Sequence, residues 1–592
     1  MVMADGPPHV GTRWTWPRSL VLALGLGILL SLPSLRVGLM LDDLMHRMVI
    51  NGSTRQLGDW GPLSLYEFVG GPGSMPERLR ESGLLPWWAS DSLLVRFFRP
   101  IPSALLSLDA WLFRDAALPA HLHSLAWFVA LVVLVGWLHQ RLLPTPVATL
   151  ATVLYAVAGA HVLPVAWLAA RHPLVSALLG LLALAAHLRA REDAWKPGRV
   201  LAPVALAGAL LSGEAAVGAV LLLGSYEVFG RRESWQRRSR HLAPYLVLSL
   251  VYVVFYVSQG YGARGSNGYL NPIAAPWSFL GVFIQRAFIL MSELVLATPS
   301  DFTSSAPALL PVIATVGAIA TFGAWRMTRL LQPWLSEREQ DALRWLIPGG
   351  ILATLPGAVG VVGGRVLMVP LVAGSALMSV LILRGWQAAR EPARLRVPAL
   401  ILRSAVVVLV LGHFGLSPLF RVGMALALGH VANEQWRVAR EAPPCDGTLV
   451  LVVSSDPSVS QYVPAAMSLT GRAPRGFRLL SGAPHDHVLE RVSPEAIDLV
   501  VQASPRKQGF WEVVNRESAP PAGTKLKLGD LQVSVLESSE SGFMRARFDF
   551  GHVLESGDFC FVTWSDNGLK RIELPPPGQH LALPHSRGPA GL

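Results

Sequence analysis

Charge is scarce in this sequence. Only 15% of its 592 residues are Asp, Glu, Lys or Arg, against about a quarter in soluble domains. Hydrophobic residues make up 52%, and the mean hydropathy is +0.43. That deficit excludes a chain built of soluble domains alone and makes lipid the solvent for much of it. Lysine is nearly missing: there are five, at 196, 507, 525, 527 and 570, so the basic residues are almost all arginines. The net charge of +11 forms no basic groove. The arginines sit in short loops between apolar runs, the positive-inside pattern of a membrane protein, and nucleic acid is excluded as a partner. No Walker loop, zinc spacing, nucleophile elbow or dinucleotide glycine fingerprint occurs in a fitting context. Nucleotide chemistry on the cytosolic side therefore has no visible site. No 34-residue repeat appears, which excludes a helical-repeat tail. The only cysteines are Cys445 and Cys560, both in the hydrophilic C-terminal part; outside a membrane they are predicted to pair as a disulfide.

What the sequence has in abundance is apolar runs, and about 20 such residues cross a bilayer. The first, Ser19 to Met40, follows Arg13 and Arg18 like a signal peptide. It lacks a small-residue cleavage site and is read as a retained helix. A hydrophilic loop spans 41–118. Runs near 120–140, 146–168 and 173–190 lead to Arg189, Arg191, Lys196 and Arg199, a cytoplasmic loop by the charge rule. Val200–Phe229 has basic loops on both flanks and Ser212-Gly213-Glu214 in its middle. It is predicted to be two short crossings with Glu214 at an outer turn, since a carboxylate deep in lipid is costly. After His241–Ser258, the runs 277–297 and 306–325 break the parity if both span, because Arg326 and Arg329 belong inside. The first, with Gln285, Arg286 and Glu293, is therefore assigned to the outer interface or a re-entrant hairpin. Crossings at 344–361, 366–383 and 397–416 complete an α-helical polytopic bundle of about 11–12 spans.

The division that follows is a cytoplasmic N-terminus (1–18), a transmembrane domain (19–416), an amphipathic connector (417–442), an extracytoplasmic soluble domain (443–575) and a disordered tail (576–592). Strand patterns at Thr448–Val453, Ile497–Gln502 and Leu531–Leu536, with the turn signal Asp566-Asn567-Gly568, predict a small mixed α/β or β-rich domain.

Several polar residues lie at the outer ends of these runs. Asp42 and Asp43 follow the first helix; two adjacent carboxylates there suit a general base or a divalent cation, or a plain polar stop. Arg99, beside Pro100, suits a lipid phosphate or headgroup anchoring. His121 and His123 are proton carriers or ligands by type, but at i, i+2 they face apart. His161 and Arg171 bracket another outer segment, where Arg171 suits phosphate and His161 a hydroxyl. Arg365 precedes Pro370 at an outer helix end, and Glu214 is placed to pair with it.

The order of these pieces resembles the GT-C membrane glycosyltransferases, and within them the protein O-mannosyltransferase branch and its relatives with tetratricopeptide tails. An acidic pair after the first helix is matched by Asp42-Asp43, with Asn51 following. Arg-Pro before a His-bearing helix is matched by Arg99-Pro100 and His121. A His-led segment ending in Val-Ala-Trp and Arg is matched by His161, Val165-Ala166-Trp167 and Arg171. A Ser-Lys-Glu hairpin is matched by Ser212-Gly213-Glu214, and a late Arg–Pro helix start by Arg365 and Pro370. The resemblance covers roughly 19–416. It implies sugar transfer from a polyprenyl-phosphate donor to a protein or glycan acceptor on the outer face of a bacterial inner membrane. Asp42 or Asp43 would then act as base or cation ligand, and Arg171 and Arg365 would hold the lipid phosphate. The chain departs from the pattern at Gly213, where the family has Lys, at Leu163, where an acid is expected, and in lacking the repeats. Those departures keep open a non-catalytic scaffold whose soluble domain binds a partner.

Overall fold

The computed structural model describes residues 16–53, 60–71, 74–269, 276–301, 307–395, 397–502, 510–565 and 568–591. Among them, nine helices are long and apolar enough to cross a bilayer, or ten when the bent pair Thr145–Val157 and Gly159–Ala166 counts as one span. Pro164 and the Ala158–Gly159 step account for that bend, since proline and a broken hydrogen-bond ladder kink helices. Gly198–Leu210 and Ala216–Ser225 form the short pair foreseen around Glu214, which lies in the turn between them.

The run 276–296 meets the length criterion yet does not carry the chain across. Tyr269 before it and Asp301 after it both lie close to Arg365, and Arg286 donates to Val359 O at the end of Glu337–Val359. Both flanks thus open on the same side, as the loop charges require. The opposite side is marked by clustered ion pairs: Arg141 with Glu192 and Asp193, Arg191 with Glu227 and Glu233, and Arg384 with Glu339.

Two boundaries differ from the sequence reading. The connector 417–442 is no separate element. Ala399–Glu441 is one 43-residue helix, about 65 Å at 1.5 Å per residue and about twice a bilayer core, so it leaves the lipid and enters the soluble domain. The tail is ordered as far as residue 591. His580–Leu583 pairs with Asp486–Arg491, Trp564 donates to Arg587 O, and Ala590 N–H donates to Asp456. A strand partner and two side-chain anchors outweigh its Pro- and Gly-rich composition.

The soluble domain is mixed α/β. A four-stranded sheet holds the parallel strands Phe559–Ser565, Thr448–Val453 and Gly476–Ser481, with Gly568–Arg571 antiparallel at one edge. A six-stranded antiparallel sheet runs in the order His580–Leu583, Asp486–Arg491, Ala496–Gln502, Gly542–Asp549, Leu531–Ser539, Lys525–Leu528. The turn predicted at Asp566-Asn567-Gly568 lies in part outside the described residues. Cys445 and Cys560 are disulfide-bonded.

The described part of the loop 41–118 shares a core with this domain. Trp87 packs against Phe543 and Phe548 and donates to Leu480 O. Ser90 N–H donates to Asn515 O. A Cβ on Gly83 would lie 1.9 Å from Phe477 O. At its φ of +80° and that approach, only glycine fits.

Candidate functional site

The helix Asp42–Ile50 begins at Leu41, whose φ of +49° is unusual for a residue with a branched side chain. Gln435 and Trp436 of the long last helix hold it there. Leu41 N–H donates to Gln435 Oε1, Gln435 Nε2 donates to Ser458 O, and Trp436 donates to Leu39 O. Strain of this kind persists where the surroundings impose it, and here it aims the two aspartates apart.

Asp43 is buried and has both oxygens engaged. It accepts Ala169 N–H at 2.7 Å and Met40 N–H at 3.2 Å. Burial pushes its carboxyl up to about 7 against those bonds. Asp42 is half-buried, and its one side-chain hydrogen-bond partner among the described residues is the phenol of Tyr462, which donates at 2.5 Å. Burial raises Asp42 too, while the Tyr462 bond and the charges of Arg365 and Arg99 pull it down. Asp42 is therefore the carboxylate presented to the site, and the pair does not act as two free ligands. Among the described residues no group of three His, Cys, Asp or Glu is arranged to hold a metal.

Arg99 and Glu214 form the next layer. Arg99 Nε and Nη2 donate to Glu214 Oε2 at 3.2 and 2.9 Å, and Nη1 lies 3.1 Å from His172 Nε2. The guanidinium stacks over Phe97 and Tyr66. Glu214 Oε1 accepts the Tyr256 hydroxyl at 2.8 Å. Glu214 is thus paired with Arg99 and not with Arg365. Gly213 has φ +144°, and a Cβ there would sit 3.4 Å from His172 Nδ1 and 3.5 Å from Arg99 Nε. A lysine would be strained and would bring a second cation against Arg99.

That pairing leaves Arg365 without a hydrogen bond or ion pair among the described residues. It is half-buried in the short turn Gly364–Leu367. Asp42, Asp301, His172 and Tyr269 all feel its charge. Asp301 is raised by burial, accepts Gly364 N–H at 3.2 Å and braces the turn. The structure therefore gathers Asp42, Arg99, Glu214 and Arg365 with three residues that the sequence reading missed. His172 had a signal, as the neighbour of Arg171. Tyr269 and Tyr462 had none.

Arg171, His121 and His161 are used elsewhere. Arg171 is 1% exposed. It donates to Ser124 Oγ, Asp109 Oδ2 and Ala120 O at 2.8, 2.6 and 2.7 Å, while His123 bonds the other Asp109 oxygen. This buried network welds three helices and offers no free fork to a phosphate. His121 contacts Gly38 O at 3.0 Å. His161 sits between Phe128 and Tyr155, bonded to Tyr155 O and Met368 Sδ. Asp109, a lone acid in the apolar helix Pro100–Phe113, was the legible sign that an arginine would be neutralised there.

No protein-family model and no curated protein matches the chain. Among solved structures it is similar to the apo oligosaccharyltransferase of Archaeoglobus fulgidus, at 15% identity and a TM-score of 0.43, covering 79% of this chain and 65% of that one. It is similar to ArnT from Cupriavidus metallidurans bound to undecaprenyl phosphate, at 15% identity and 0.34, covering 79% and 92%. The A. fulgidus enzyme AglB with an inhibitory peptide and a dolichol phosphate gives 11% identity and 0.37, covering 78% and 65%. The chain spans about two thirds of the length of the oligosaccharyltransferases it matches.

Proposed function

We propose that this protein is a GT-C-type glycosyltransferase that moves a sugar from a polyprenyl-phosphate donor to an acceptor hydroxyl on the outer face of a bacterial inner membrane. The carrying observation is the convergence of a base, Asp42, and a guanidinium with no ion pair among the described residues, Arg365, at one mouth of the bundle, beside the Arg99–Glu214 pair. In the reaction the acceptor hydroxyl takes the place of the Tyr462 phenol on Asp42 and gives up its proton there. Its oxygen bonds to the anomeric carbon from the far side while the bond from that carbon to the phosphate oxygen breaks. The electron pair leaves on the polyprenyl phosphate, whose growing charge Arg365 meets. Fixed cationic donors at a leaving oxygen are worth about 10²–10³ in rate. Arg99, tied to Glu214 and His172, positions the site's wall.

The test is transfer from a polyprenyl-phosphate sugar by the reconstituted protein. Asp42→Asn should abolish transfer while donor binding survives. Full activity in Asp42→Asn, or in the double Asp42→Asn/Asp43→Asn variant, would refute the assignment. A second reading has one observation in its favour: Asp42 is already capped by the protein's own Tyr462, as in a scaffold that no longer turns over. Wild-type protein that binds no polyprenyl-phosphate sugar would support that alternative.

A further inference from the structure

The helix that carries Asp42 holds a second unmet charge, about 140° round its axis at 100° per residue. Arg47 is 7% exposed and makes no side-chain hydrogen bond with the described residues. Its only ion pair is a long one, 4.0 Å to Asp115, which is itself 86% exposed. Other arginines buried to this degree make side-chain hydrogen bonds, although Arg80 keeps an unpartnered Nε. Arg80 bonds Ala89 O, Arg171 bonds Asp109, Arg421 bonds Ser31 and Ala156 O, and Arg516 bonds Glu512 O and Ser541 O. A guanidinium with so little contact with water is costly; the charges of Asp115, Asp43 and Asp109 offset part of that cost, and its hydrogen-bonding fork is left open to a ligand.

Arg47 lines a cavity of about 320 Å³ shared with Leu39, Asp115, Ala117, Trp436 and Leu469. Its position is fixed by the chain. Leu39 lies just past the first membrane helix, which ends at Arg36, and Ala117 opens the second. The cavity therefore sits where two spans meet the membrane surface, on the side of the candidate site. The Trp436 indole, tethered to Leu39 O at 2.9 Å, is the type of residue that marks that level. Leu469 brings in the soluble domain.

We infer that this cavity binds the phosphate of a zwitterionic membrane lipid, with Arg47 on the phosphate and Asp115 on the amine. A guanidinium fork matches phosphate oxygens, and the exposed Asp115 carboxylate can swing a few ångströms to meet an ammonium one bond chain away. A free phosphate or an anionic headgroup would instead confront Asp115. Leu39, Ala117 and Leu469 supply apolar walls for the glycerol end. A lipid held there fastens the soluble domain to the bundle behind the Asp42 helix. The inference stands apart from the transferase reading, since neither Arg47 nor Asp115 belongs to that site; Leu39 and Trp436 serve both, as the brace of Leu41 and as walls here.

Native mass spectrometry of the delipidated full-length protein tests it, with phosphatidylethanolamine, phosphatidylglycerol and inorganic phosphate as separate probes. Wild type should retain one phosphatidylethanolamine. Arg47→Gln should weaken it about tenfold or more, the loss of roughly 1.4 kcal/mol, and Asp115→Asn should reduce the preference over phosphatidylglycerol. Equal retention by wild type and Arg47→Gln overturns the site. Arg47-dependent binding of inorganic phosphate without lipid retention overturns the lipid assignment. If Arg47→Gln does not fold, Ala117→Phe fills the cavity and keeps the arginine; lipid retained in that variant overturns the proposal.

Discussion

Two arginines that look alike in sequence have opposite situations. Arg171 is enclosed with Asp109, so Asp109→Ala strands a buried cation and should cost about 3–5 kcal/mol, seen as a lower thermal midpoint in detergent. Arg365 makes no hydrogen bond or ion pair among the described residues and acts on Asp42 and Asp301 only through its charge. Arg365→Ala should leave that midpoint within about 0.5 kcal/mol of wild type and lower kcat/KM about 10²-fold or more. Asp42 must be ionised to accept a proton, and burial lifts it above the ordinary carboxylate range. Activity should therefore rise with pH later than a free Asp would allow. Tyr462→Phe removes a bond that favours the ionised form, so the acid limb should move to higher pH. An unmoved limb would separate Tyr462 from the base. Asp43 gives the matching stability signature. Its folded-state value of about 7 exceeds the unfolded one near 4, so the native state holds the extra proton between them. The stabilisation is complete below about pH 4 and is lost as pH rises through 7. Asp43→Asn, which imitates the protonated acid, should flatten that slope in thermal melts from pH 5 to 8.

At the scale of elements, the helix Asp42–Ile50 is aimed by the last helix, through Gln435 to Leu41 N–H and to Ser458 O. Gln435 is fully buried. Gln435→Ala leaves a backbone donor and acceptor unmet in the interior, a cost of about 1–3 kcal/mol, and removes the support for Leu41's positive φ. Both a lower melting point and a lower kcat are the expected result; an unchanged kcat would show that Asp42 holds its place without the brace. The 276–296 segment illustrates a different point. Its apolar content alone reads as a span, and only the parity of the arginine loops and the return of Asp301 to Gly364 assign both flanks to one side.

At the scale of the molecule, the soluble domain is packed into the candidate site and the outer loop. It supplies Tyr462 to Asp42, takes Trp87 from the outer loop into its core, and is closed by Cys445–Cys560 across 115 residues. In the chain-entropy account a loop of that size is worth about 4–5 kcal/mol. Reduction, or a Cys445→Ser/Cys560→Ser pair, should lower the domain's melting point and open it to protease, with the membrane helices still protected.

How much of this could be read in advance follows from which forces are local. Hydropathy per residue is a property of the chain, as is loop charge, so the sequence by itself determined a polytopic helical bundle, the Glu214 turn, the folded α/β-type C-terminal part and the placement of acids and arginines at outer helix ends. It marked Asp42, Arg99, Glu214 and Arg365 by position. Which charge neutralises which is decided by distances between helices far apart in sequence. Only the tertiary structure paired Glu214 with Arg99 instead of Arg365, used Arg171 in a weld with Asp109, and brought Tyr462, some 420 residues on, to Asp42. A buried charge takes the nearest partner that packing provides, and packing is not written in any local window of the chain.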